Sequence, residues 1–139
     1  MADAAAIMAW MEGLGQTMMS TLGMTIQEYT PERVVGTMPI TPAVHQPMGI
    51  LHGGASAAFA ETLASFGSML HVDLETSVPV GIEINANHIR SRSEGNLIGE
   101  AIPLHIGRTT QIWDIKLRDE GGALVCVSRC TIAVRPRPE

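Results

Sequence analysis

The sequence predicts an α+β domain in which one long apolar helix is wrapped by a curved antiparallel sheet. Three observations predict it. Residues 52–70 are apolar or small on most sides, strand-like segments lie before and after them, and short turn signals join those segments as hairpins. The chain has 139 residues, which suits one domain with a real core.

Taken in order, Ile7, Trp10, Met11, Leu14, Met18 and Leu22 recur at three- and four-residue steps. That spacing predicts an amphipathic helix over residues 1–22, with Gly23 as its stop. Strands are expected at Met24–Tyr29 and Arg33–Ile40, turning at Thr30-Pro31-Glu32. Residues 41–49, with Pro42, Pro47 and Gly49, read as a loop. The central helix follows, about 28 Å long at ~1.5 Å per residue, and an apolar helix of that length needs a sheet around it. Four strands complete the chain: Val78–His88, Asn96–Ile106, Thr109–Leu117 and Ala123–Val134, the last pair turning at Asp119-Glu120-Gly121-Gly122. Consecutive strands joined by short turns are expected to pair antiparallel.

Composition narrows the function. A formal net charge of −5 gives no footprint for nucleic-acid binding, which needs a basic face against phosphates. The stretch from Met1 to Leu22 has no Lys or Arg and so lacks the basic start of a secretory signal, and no run is long and apolar enough to span a membrane. Cys126 and Cys130 lie four apart in one strand, ~13 Å at ~3.3 Å per residue, too far to pair with each other. Free thiols fit a reducing cytoplasm. His45, His71 and His105 have no metal-ligand spacing, so no metal is expected.

The chemistry centres on the helix. Gly53 and Gly54 sit where it begins, so their amides have no partner within it and the positive end of its dipole points the same way. An oxyanion is well accommodated there. Glu61 lies in an otherwise nearly uncharged helix and is expected to be partly desolvated, with Ser65 one turn later on the same face. Yet Glu61 is ~12 Å from Gly53 along the axis. One chain cannot aim both at one carbonyl. Two subunits with antiparallel central helices would solve the problem, each giving Gly53 to the other's Glu61 and Ser65. Arg90 and Arg92 follow His88, and Arg108 follows Gly107 with Thr109 beside it; these suit phosphate groups.

Three strings carry a family resemblance: Gln46-Pro47-Met48-Gly49-Ile50-Leu51-His52-Gly53-Gly54 followed by Glu61, Gly81-Ile82-Glu83-Ile84-Asn85-Ala86-Asn87-His88, and Pro103-Leu104-His105-Ile106-Gly107. Together they resemble the hotdog-fold thioesterases, within them the bacterial branch that holds dihydroxynaphthoyl-CoA, enterobactin-proofreading and aryl-CoA thioesterases. The resemblance covers about Gly23 to Val134. It implies hydrolysis of an acyl-CoA, aromatic or medium-chain, with no cofactor beyond the CoA of the substrate. It further implies a homodimer as catalytic unit, commonly paired into a homotetramer. It assigns Glu61 as the catalytic carboxylate and Gly53, with His52, as the segment polarising the carbonyl. Gln46 stands near the thioester, Ser65 positions water, and His88 lines the site. Met48, Phe66 and Met69 are expected in the acyl pocket, and Gly107, Arg108 and Thr109 with Arg90 and Arg92 at the CoA.

Simpler readings compete. A lone helical Glu usually reaches solvent, His52 is more often a cap than a base, and His88 falls in phase with Val78, Val80, Ile82 and Ile84, as a packed core histidine would. Two other functions remain open: an enoyl-CoA hydratase or dehydratase on the same fold, and a non-catalytic acyl-CoA-binding module. The hydratase usually wants a helix histidine near its acid, which Glu61 lacks.

Overall fold

The computed structural model describes residues 2–138. Its order is α1 (Ala4–Glu12), α2 (Met18–Leu22), β1 (Thr25–Thr30), β2 (Arg33–Pro39), α3 (Gly53–Met69), β3 (Ser77–His88), β4 (Asn96–Ile106), β5 (Thr110–Arg118) and β6 (Leu124–Pro136). The strands form one antiparallel sheet in the order β1-β2-β4-β5-β6-β3. Helix α3 lies in its concave face, as the apolar 52–70 stretch predicts. Among the described residues no helix is long and apolar enough to cross a membrane.

Small residues set how closely helix and sheet approach. A Cβ added at Gly36 would lie 2.9 Å from a Leu63 methyl, and one at Gly99 would lie 2.9 Å from the Phe59 ring. Gly67 likewise leaves room for the Trp113 indole. Phe59, Leu63, Trp113, Ile115, Leu117 and Ile132 are fully buried in the resulting core. Tight packing of this kind makes each of them costly to truncate.

Two expectations are corrected. The single N-terminal helix over 1–22 is two helices. α1 starts on an Asp3 cap and stops at Gly13, and α2 restarts where Thr17 and Ser20 form a capping box, ending at Gly23 in the left-handed region (φ 71°). Trp10, Leu14 and Met18 of the apolar stripe are exposed, and in these two helices only Ile7 is buried. Secondly, β3 and β4 follow one another but do not pair. The intervening segment 89–95 is tied elsewhere: the Leu51 amide donates to the Arg92 carbonyl (2.7 Å) and the Ile40 amide to that of Gly95 (2.8 Å). Strand β4 is thereby placed beside β2, and β3 becomes a twelve-residue edge.

Strand β3 also changes phase. Its pairing with β6 slips between Gly81 and Glu83, a β-bulge. Simple alternation would put Gly81 and His88 on opposite faces, but the extra residue brings both onto the row that faces α3.

Candidate active site

The site grows from the two ends of the α3–β3 seam. At the first end His52 caps α3: its Nδ1 accepts the Gly54 amide at 2.7 Å, and its carbonyl takes the amides of Ala55 and Ser56. The Gly53 amide finds no acceptor among the described residues. His88 closes on this helix start, its Nε2 only 2.6 Å from where a Gly53 Cβ would be, so any side chain at 53 would push the ring aside. His88 is exposed rather than core-packed, on the α3-facing row at the last position of β3. Gln46 stands in the loop before the helix, its backbone amide bound to the Ile50 carbonyl (2.8 Å) and its carbonyl to the Gly49 amide (2.9 Å). Its side-chain Oε1 accepts the Met48 amide, which turns the loop back on itself. Gln46, Gly53, Ser56, His88, Arg90 and Val125 line a cleft of about 280 Å³.

At the second end Glu61 lies against β3. A Cβ at Gly81 would collide with Glu61 Oε1 and sit 3.1 Å from its carboxyl carbon. The bare glycine backbone is therefore the seat of the carboxylate. Glu61 and Ser65 are half-buried, on a stripe of α3 with Ala57, Ala58 and Met69 that the chain's own sheet leaves partly open. The thiol of Cys130, on β6 next to β3, is pushed up to about 12, first by burial and then by the negative charges of Glu61 and Glu83. Sequence reasoning misses the role of Gly81; the available signal is a glycine inside an apolar strand, which marks close approach.

Gly53, Gln46 and His88 thus share one cleft, and neither Glu61 nor Ser65 lines it. The remaining candidates divide as follows. Arg90 lines the cleft, its Nη1 donating to the Leu124 carbonyl at 2.8 Å. Arg92 is engaged within the chain: both its Nε (2.8 Å) and Nη2 (2.6 Å) donate to Asp119, which pins the β5–β6 turn. That guanidinium, followed by the Ala123 amide, holds the Asp119 carboxyl below the usual range. Arg108 and Thr109 are exposed in the β4–β5 turn, where the Gly107 amide donates to the Thr110 carbonyl at 2.9 Å. Since Thr110 and Val80 both pair with Ala133, this turn lies at the Ser77 end of β3, away from Arg90.

Of the acyl-pocket candidates, Met48 is 82% exposed at its loop tip and lines neither cavity. Phe66 is buried edge-on against Tyr29, whose hydroxyl donates to the Phe66 carbonyl at 2.8 Å, and it lines neither cavity. Met69 lines a second cavity, of about 570 Å³, between α1 and the start of β3.

One long helix held in a curved six-stranded antiparallel sheet is the architecture of the hotdog thioesterases. The Thioesterase superfamily model matches residues 48–126, more than half of the chain, and the chain belongs to that family. Among relatives, a 1,4-dihydroxy-2-naphthoyl-CoA hydrolase of Listeria monocytogenes is 43% identical over 84% of this chain and 94% of its own length. Among solved structures, a thioesterase variant from Pseudomonas aeruginosa superposes with a TM-score of 0.88 at 37% identity, covering 98% of this chain and 96% of its own. Two variants of one Staphylococcus aureus thioesterase superpose with TM-scores of 0.85 and 0.83 at 40% and 41% identity, covering 87% and 85% of this chain and 100% and 98% of their own. Those variants replace a glutamate and a glutamine fifteen positions apart, the separation of Gln46 and Glu61 here.

Proposed function

We propose that this chain hydrolyses acyl-CoA thioesters, aromatic or medium-chain, at a site shared by two subunits. The observation that carries it is the open edge of β3, with Gly53 at one end of the seam and Glu61 at the other. A twelve-residue edge strand is a ready template for pairing with its own copy. Antiparallel pairing about Ile84–Asn85 sets Gly81 of one chain opposite His88 of the next. Glu61 then faces the Gly53 amide and Gln46 of its partner, the separation noted in the Staphylococcus aureus variants being that of the two residues so joined. The same symmetry gathers Arg90 of one chain and Arg108 with Thr109 of the other on one side, where the phosphates of CoA would lie. Exposed Val80 (45%) and Ile102 (41%) on the face turned from α3 suit a further pairing of dimers into a tetramer. The buried free thiols Cys126 and Cys130 suit the cytoplasm.

In the reaction the Gly53 amide, at the positive end of α3, donates to the carbonyl oxygen as negative charge collects there. Glu61 acts in one of two ways. As a general base it takes a proton from a water held with Ser65 while the water oxygen attacks the carbonyl carbon. As a nucleophile its own oxygen attacks, giving a mixed anhydride that water then opens. In both, the C–S bond breaks, CoA leaves as thiolate and is protonated, and the acid is released.

The test is release of CoA thiol from benzoyl-CoA and octanoyl-CoA by the wild type and by Glu61→Gln. The proposal expects a loss of at least ~100-fold in kcat, as removal of an acid–base group produces, with oligomeric state unchanged. Unchanged turnover would remove Glu61 from the reaction, and binding without any thiol release would leave a non-catalytic module. A hydrated enoyl-CoA product with the thioester intact would reveal the hydratase; His52, bound to Gly54, offers that chemistry no second acid beside Glu61.

A further inference from the structure

The larger cavity is the place the mechanism does not use. It is about 570 Å³ in volume, and its walls are almost entirely apolar: Ile7 and Trp10 of α1, Met69 of α3, Leu74 of the following loop, and Pro79 near the start of β3. Its rim is fixed by the chain's last described turn, where the Arg137 guanidinium donates to the Leu74 carbonyl (2.5 Å) and the Arg137 amide to that of Thr76 (2.9 Å). Ligand pockets commonly run to ~300–1,000 Å³ with mainly apolar walls.

Position ties this cavity to Glu61. Ser77, Pro79 and Gly81 alternate along one face of β3, so Pro79 and Ser77 are the next two residues on the row that seats Glu61. On the helix side Glu61, Ser65 and Met69 follow at four-residue steps on one face. Strand and helix run in opposite directions, as the contacts of Gly53 with His88 and of Glu61 with Gly81 require. The seam between them therefore runs from the carboxylate past Ser65 to Met69, Pro79 and Ser77 on the cavity wall, over ~12 Å of helix, and α1 walls the far side of the cavity.

From this geometry we infer that α1 forms the end wall of an acyl-tail pocket, and that the pocket takes a linear medium-chain aliphatic tail, with Trp10 setting its length. The inference rests on the thioesterase reading. A cavity of about 150 Å³ already holds a benzene ring, so a single aromatic ring would leave most of this one unfilled. An extended tail starting beside the Glu61 carboxylate and following the seam would reach the cavity and occupy it.

The experiment has two readouts on the full-length protein. Turnover is measured as CoA thiol release from butyryl-, octanoyl- and benzoyl-CoA by the wild type, Ala6→Phe and Trp10→Ala; Ala6 is an exposed α1 residue on the cavity wall, so a ring placed there intrudes without disturbing the core. Binding is measured from the fluorescence of Trp10, which is 56% exposed while the other tryptophan, Trp113, is fully buried, using the Glu61→Gln protein and octanoyl- or butyryl-CoA. The expected results are a wild-type kcat/KM that rises ~4-fold per added methylene between butyryl and octanoyl, an octanoyl-to-butyryl ratio at least tenfold lower in Ala6→Phe, and a Trp10 blue shift with octanoyl-CoA only. Thiol release with a ratio that neither variant changes, and no Trp10 shift, would overturn the inference and leave the hydrolase reading standing. A Trp10 shift with no thiol release from any substrate would keep the pocket and overturn the hydrolase reading.

Discussion

Replacing Gly81 by alanine probes the seat of the Glu61 carboxylate, proposed above as the reacting group, without touching the carboxylate itself. Gly81 does not have a positive φ, so its backbone accepts alanine without strain. The new methyl would collide with Glu61 Oε1 and lie 3.1 Å from Cδ, whereas ordinary contact begins at 3.4 Å. Glu61 is half-buried and flexible at its tip, so it yields, by ~1 Å or more, and misplacing a reacting group by that distance costs ~100-fold. That corresponds to about 2.7 kcal/mol of transition-state stabilisation at ~1.36 kcal/mol per tenfold. Stability moves the other way, because alanine in a strand interior is favoured over glycine by ~0.5–1 kcal/mol. The assay pairs CoA-thiol release with urea denaturation of the same preparation. A folded Gly81→Ala protein with activity within twofold of wild type would refute the claim that this backbone holds Glu61 in place.

Three further outcomes follow from the same contacts. Leu63→Ala removes a fully buried side chain fitted over Gly36 and Gly99, and urea denaturation should show a loss of ~2–5 kcal/mol. The two thiols should be silent to a disulfide reagent at pH 8 in the native protein and both titrate after unfolding, since burial raises Cys126 and takes Cys130 to about 12; rapid native labelling would contradict this. Because Arg92 lowers the Asp119 carboxyl in the folded state, the ion pair stabilises the fold above the unfolded carboxylate pKa and that contribution fades as pH falls through the lower folded value. Below about pH 4 the wild type should therefore lose stability more steeply with acid than Asp119→Asn, and parallel acid limbs would count against the pair.

Much of this was legible because it is local. The Gly53-Gly54 start of α3, the Glu61–Ser65 face and the turn residues all lie within a few positions of the groups they position. The break between α1 and α2 was obscured by Leu14 and Met18, which keep the apolar spacing across Gly13 and Gly15 yet are exposed. The packing of Phe66 on Tyr29 is hidden because α3 is apolar all round, so periodicity cannot tell the face toward Tyr29 from the face toward Glu61. Arg92 meets Asp119 across 27 residues of sequence, and no local pattern reports such a partner. The bulge at Gly81–Glu83 is hidden for a related reason: it depends on the register with β6, a tertiary choice, and it decides that His88 faces Gly53.

The proposed sharing of the site between subunits is tested most directly by mixing two chains expected to be inactive, one carrying Glu61→Ala and the other Gln46→Ala with His88→Ala, unfolded together and refolded at equal amounts. In a two-fold dimer each mixed pair has one site with both halves intact, so about a quarter of the wild-type activity should return. If refolded dimers form and the mixture stays as inactive as either parent, Glu61 does not work against the neighbouring subunit's helix start.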